Sequence, residues 1–319
     1  MAKQLKKAVD KGQKPIKCRR LFWVHKFSFK ASNISTTPAQ KQYYQWIDIA
    51  KVIGIFLVIY GHGGLSDSTV RDFIYTFHMP LFFVLSGLLY KPLSPIETIK
   101  KDWRTLLIPY LILNATCLLM FVGIAFLQGN LTWLFLWKRL GAIALGLGYS
   151  TQQWMPVSSP CWFLIALFLC RLLLSLIHRH FTRTTLSALC IISVITAILM
   201  SALTIDTLIP IGSAVMAMPF VGVGYMMKSV FLRPGIIMRR MKLQLLAVMV
   251  FGVITIFCCV INGPIDMDYF SHGNSWVLFY IGGVCGSSLV IHISKLLCYS
   301  VINHSGGGYA PMQLVHCQL

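Results

Sequence analysis

Residues 43–62 read YYQWIDIAKVIGIFLVIYGH and residues 74–90 read IYTFHMPLFFVLSGLLY. Both approach the ~20 mostly apolar residues that an α-helix needs to cross the hydrocarbon core of a bilayer. Both also hold side chains that such a helix does not carry without a reason: Asp48, Lys51 and His62 in the first, His78 and Pro80 in the second. A charge at membrane depth costs several kcal/mol on insertion scales, so each one marks either an interface or a function.

Working outward, six further apolar runs occur at 105–127, 162–177, 185–204, 208–227, 243–262 and 275–293. With 46–62 and 73–90 they make eight credible spans. The 319 residues are 56% hydrophobic and 12% charged, with a mean hydropathy of +0.71. Soluble domains carry roughly 25% charged residues, so a soluble enzyme and a disordered chain are both excluded. The expected fold is all-α, a polytopic transmembrane helical bundle of about 8 to 10 spans with the lipid bilayer as its partner.

The net charge is +19, and residues 1–42 hold eleven Lys or Arg against one acid, Asp10. This stretch reads as a basic, disordered cytoplasmic tail. Its first 25 residues hold no apolar core of the kind a secretory signal requires. The body offers apolar runs where a nucleic-acid module needs a basic face with interleaved aromatics, so no nucleic-acid partner is expected. Six of the ten cysteines lie inside apolar runs and no CxxC pair occurs, so they read as small hydrophobes, and no metal site is expected.

Cytoplasmic loops are enriched in Lys and Arg. Basic residues follow the second run (Lys91, Lys100, Lys101, Arg104), the fourth (His178 to Arg183), the sixth (Lys228 to Lys242) and the eighth (Lys295). The intervening loops carry Asp67, Asp72, Asp206, Asp266 and Asp268. Both termini are therefore expected in the cytoplasm. Residues 131–148 are apolar but hold Lys138 and Arg139 at their centre. They read as an interfacial or re-entrant piece, because a full span there would reverse the charge pattern.

Lys51 and His62 are eleven residues apart, three turns plus about 20°, so they share a helix face about 16 Å apart along the axis. Asp48 lies on that face one turn below Lys51. A short outer loop between antiparallel helices would bring His78 beside His62, and two converging histidines point to proton chemistry. The plainer alternative is an interfacial Asp48–Lys51 ion pair and a water-facing His62.

At these residues the sequence resembles integral-membrane acyltransferase family 3, and within it the fucose 4-O-acetylase-like branch. The resemblance is carried by Trp46-Ile-Asp-Ile-Ala-Lys51 leading to Gly61-His62, by Tyr75 to Tyr90 with its FHMPLFFVLSG core, by Leu107-Ile-Pro-Tyr110, by Cys161-Trp-Phe-Leu-Ile-Ala-Leu-Phe168, and by Pro219 to Tyr225. It implies a transmembrane acyltransferase domain over 43–295. The implied activity moves an acetyl group from cytoplasmic acetyl-CoA to a hydroxyl of a cell-surface sugar or lipid-linked glycan, in a bacterial inner membrane. No bound cofactor is implied, acetyl-CoA being the donor substrate.

Within that reading His62 is the general base or a transient acyl carrier, His78 its partner, and Asp48 and Lys51 organise the donor side. Lys100, Lys101 and Arg104, by default a positive-inside stop, would hold the donor phosphates. Trp162, by default an interface anchor, becomes a substrate contact. Ser86, beside Gly87, reads first as a helix-packing position and second as a substrate contact. Residues 296–319, with Gly306-Gly307-Gly308 and Pro311, form an atypical tail where a last span would be expected. Two alternatives stay open: a proton-coupled transporter or exporter using the same His and Asp residues, and an inactive truncated homologue.

Overall fold

A computed structural model describes residues 44–63, 68–148, 154–204, 210–232 and 241–304. The basic tail 1–42, the Gly306–Gly308 and Pro311 segment, and the loop residues Asp67, Asp206 and Arg239 lie outside the described residues. From residue 45 onward the helices are α1 (Gln45–His62), α2 (Ser68–Tyr75), α3 (His78–Leu89), α4 (Pro95–Asp102), α5 (Ile108–Leu127) and α6 (Trp133–Leu145). They continue with α7 (Trp162–Leu176), α8 (Arg183–Ala202), α9 (Ile211–Phe231), α10 (Met241–Asn262) and α11 (Trp276–His304). The protein is an all-α bundle.

Seven described stretches are long and apolar enough to cross a membrane: α1, α2 with α3, the continuous Pro95–Leu127 helix, α8, α9, α10 and α11. The run expected at 162–177 forms α7, only 15 residues long, flanked by 3₁₀ turns at Ser159–Cys161 and His178–His180. The outward faces are apolar, with Val253, Phe257 and Val260 on α10 and Ile191, Ile195 and Leu199 on α8 exposed. Only a lipid solvent accommodates that much exposed apolar surface without association.

The core sits where α3, α9 and α11 meet, around the fully buried Phe83, Phe220 and Phe279. Helices α3 and α9 cross backbone to backbone. A Cβ on Gly87 would collide with the Val221 carbonyl, and one on Gly224 with the Val84 carbonyl. Small residues permit this approach in membranes, where packing has to replace the hydrophobic drive. Gly87 is thus a packing position, as the plainer reading of Ser86-Gly87 had it.

Two lysines close the end of the bundle where the basic loops gather. Lys228 Nζ donates to the Tyr90 carbonyl at 2.9 Å, at the C-terminus of α3. Lys295 Nζ donates to the Phe231 carbonyl at 3.2 Å, at the C-terminus of α9, and lies over the Trp46 ring 4.7 Å from its centroid. Cations at helix C-termini satisfy free carbonyls and complement the helix dipole. Lys295, expected in a loop after the eighth run, is instead buried within α11.

The same end holds the start of α1 and the turns between α7 and α8. The opposite end holds His62, the start of α7 and the α10–α11 loop. Helix α6 has 13 residues, about 20 Å, too short for the ~30 Å core. The Tyr110 hydroxyl donates to its Ile143 carbonyl at 2.6 Å, and the chain then returns to Trp162 beside His62. Helix α6 alone therefore does not carry the chain between the two ends.

Candidate active site

Pro80 explains the local shape of the second span. Lacking an N–H, it cannot bond the carbonyl four residues earlier, and the helix breaks at Thr76 and Phe77 between α2 and α3. The Thr76 hydroxyl turns back to the Asp72 carbonyl at 2.9 Å. The His78 Nδ1 meets the Ile74 carbonyl at 3.0 Å. A carbonyl only accepts, so Nδ1 carries the proton there and, in the neutral ring, Nε2 is the free acceptor. The break thus fixes both the position and the tautomer of a histidine that is only 2% exposed.

His62 ends α1 one loop earlier, and the antiparallel arrangement brings the rings together at 6.5 Å between centroids. Tyr75 sits between them. Its hydroxyl is 3.4 Å from His62 Nδ1, and its ring centroid is 4.8 Å from that of His78. These three side chains line one wall of a cavity of about 190 Å³. Trp162, 4% exposed at the start of α7, lines another, while Asp266, Asp268 and Tyr269 come from the α10–α11 loop.

That loop is held rigidly. Asn262, fully buried at the end of α10, donates to the His272 carbonyl and accepts from the Ser275 amide, both at 2.7 Å. Asp266 and Ser271 form an antiparallel bridge, and the Asp268 amide donates to Asp266 Oδ1 at 3.0 Å in an Asx turn. Ser213 on α9 donates to the Met267 carbonyl at 2.7 Å. Burial pushes the Asp266 carboxyl above its ordinary value. Burial, with Asp266 next to it, pushes Asp268 up to about 8. Gly148 completes the enclosure, because a Cβ there would collide with the Asp268 carboxylate and the Trp162 ring.

Of the residues singled out in the sequence, the cavity brings together His62, His78 and Trp162. Asp48 and Lys51 form an ion pair at 3.0 Å, both half exposed, three turns down α1 from His62 and away from the cavity lining. Lys100, Lys101 and Arg104 are exposed at the basic end, on α4 and the π-helical turn Trp103–Leu107 that follows it. Helix α4 starts with a capping box between Ser94 and Glu97 and Pro95 at its first position, which sets its N-terminus sharply. Ser86 is half-buried within α3, outside the lining.

Sequence reasoning missed Tyr75, and it placed Asp266 and Asp268 only among the acids of the intervening loops. It also missed the buried pair of Arg171 Nη2 and Asp102 Oδ1 at 3.0 Å, which ties α7 to the end of α4. The available signal was Arg171 alone within the apolar run 162–177. Among the described residues, no group of three His, Cys, Asp or Glu side chains is placed to hold a metal ion.

Comparison with known proteins adds the family. No curated protein and no solved structure gives a match. Residues 44–299, some four-fifths of the chain, match the model of the acyltransferase domain that defines family 3. The chain belongs to this acyltransferase family.

Proposed function

We propose that the protein is an O-acetyltransferase, of the fucose 4-O-acetylase-like branch, that moves an acetyl group from cytoplasmic acetyl-CoA to a hydroxyl of a surface sugar or lipid-linked glycan. The observation that carries the reading is the His62–Tyr75–His78 wall facing Trp162 and two aspartates across one cavity. Nδ1 of His62 donating to the Tyr75 hydroxyl leaves Nε2 free as the base. A sugar hydroxyl is a weak nucleophile at neutral pH, and a base within hydrogen-bond reach is the usual remedy.

In the transfer, Nε2 takes the hydroxyl proton as the sugar oxygen attacks the thioester carbonyl. The new C–O bond forms, the C–S bond breaks, and the departing thiolate takes the proton from the imidazolium, giving the acetyl ester and free CoA. His78, held through Nδ1, offers a second acceptor in the same wall. Trp162 supplies a flat apolar face of the kind sugars stack on. Asp48, Lys51, Lys100, Lys101 and Arg104 sit at the basic end, where cationic side chains suit the phosphates of the donor. The Lys and Arg of the loops at that end support a cytoplasmic face there, with the N-terminus, in a bacterial inner membrane.

Membranes containing the protein, incubated with acetyl-labelled acetyl-CoA, are expected to transfer label to glycan in an ester cleaved by mild base. Proton-coupled uptake or export without any label in glycan would favour a transporter and overturn this reading.

A further inference from the structure

The cavity carries more information than its two histidines, and what it adds concerns the acceptor. Its polar walls hold two carboxyl groups, Asp266 and Asp268, and among the described residues no lysine or arginine lines it. Asp268 is 8% exposed, and among the described residues its carboxylate has no hydrogen-bond partner, although its amide does. Held up to about 8, the group is a neutral acid near pH 7, and a buried acid left without a partner is costly unless something that enters the cavity supplies one. The nearest guanidinium influencing Asp266 is Arg71, half exposed and 3.8 Å from Asp72 in an ion pair of its own. With His62 in the neutral form that a base requires, no cation among the described lining residues offsets the two carboxyl groups, and the lining grows more negative as pH rises through the value of about 8 at Asp268.

Size narrows the choice further. Pockets for drug-sized ligands measure roughly 300–1,000 Å³, and this one is about 190 Å³. A cavity of this size suits a single sugar ring. Trp162 lines one side of the cavity.

From these observations, and resting on the acetyl-transfer reading above, we infer that Asp266 and Asp268 select the acceptor: a single terminal sugar ring that is neutral or bears an ammonium group, with anionic sugars rejected. Vicinal hydroxyls or an ammonium group satisfy the open Asp268 side chain, while a uronate or a sugar phosphate meets the Asp266 carboxylate in a desolvated site. Asp268 is the direct contact. Asp266 acts both on the acceptor and by holding the Asp268 amide through Oδ1, a bond that an asparagine at 266 preserves.

The test uses three alkyl glycosides that differ in one group: a neutral glucoside, the 2-amino-2-deoxy glucoside and the glucuronide. Each is offered with labelled acetyl-CoA to membranes carrying the full chain, and kcat/KM is measured. The expected result is transfer to the first two and at least tenfold poorer transfer to the glucuronide. In Asp266→Asn the ratio of glucuronide to amino-glucoside should rise at least threefold, and in Asp268→Asn it should rise as much at pH 9, above the value of about 8 at which Asp268 loses its proton. A glucuronide as good as the glucoside, or asparagine variants that leave the ratio unchanged, overturns the inference and leaves acetyl transfer standing. Transfer to none of the three overturns acetyl transfer to sugar and the inference with it.

Discussion

Replacing Arg171 by methionine removes the cation from a pair in which Asp102 is 0% exposed and the arginine side chain 15% exposed. At 3.0 Å and an effective dielectric of about 20, the attraction is ~5–6 kcal/mol before desolvation of the two groups is subtracted. Arg171→Met forfeits that attraction but leaves Asp102 desolvated, with its Oδ2 already lacking a partner. A loss of ~3–5 kcal/mol is expected, as for other buried pairs broken on one side. Changing both residues, as Asp102→Asn with Arg171→Met, removes the stranded charge and should recover most of the loss. Unfolding midpoints of the four detergent-purified proteins complete the double-mutant cycle. Arg171→Met as stable as the parent, or a double variant no better than Arg171→Met, would refute the reasoning.

Three other expectations are open to direct measurement. Lys51→Arg should keep acetyl transfer and Lys51→Ala should lose most of it, since the position is proposed to need positive charge on the donor side; equal rates in the two variants remove Lys51 from the site. Asp268, held up to about 8 in the fold against about 3.9 in an unfolded chain, binds its proton more tightly when folded. Its contribution to stability is therefore complete below about pH 4 and is lost as pH rises through about 8. The thermal midpoint should fall between about pH 5 and about pH 9, and Asp268→Asn should flatten that fall; a midpoint that climbs over this range contradicts the assignment. Cysteine labelling from outside the cell should reach Tyr269→Cys but neither Lys101→Cys nor Arg183→Cys, and labelling at 183 would mean that residues 128–161 do cross.

The helices were legible because hydrocarbon thickness and apolar run length are read from the same residues. Each expected run became a helix, α7 being shorter, and the stretch 131–148 around Lys138-Arg139 holds a helix of 13 residues. The meeting of His62 and His78 was legible for a similar reason, since a short connection between antiparallel helices leaves few arrangements. Asp266 and Asp268 lie some two hundred residues further along the chain. What brings them to the cavity is the Asn262 clamp and the Ser213 bond, neither of which has a local sequence signature. Arg171 and Asp102 stayed hidden for the opposite reason. One charge inside an apolar run announces that a partner exists without saying which, and Asp102 sits among lysines that looked like ordinary loop residues. Lys295 was misplaced because the apolar run ends at 293, whereas the helix continues and folds the lysine stem against Trp46 and Phe231.

The central claim is that acetyl transfer runs through His62. Membranes bearing the parent protein or His62→Ala, matched for the amount of protein, are given acetyl-labelled acetyl-CoA, and base-labile label in glycan is counted. The side chain is half open to the cavity and its loss leaves the α1–α3 packing intact, so abundance should hold while transfer falls by the ~10²–10⁴-fold that a positioned acid–base group contributes. Transfer at the parent rate in His62→Ala would contradict the account.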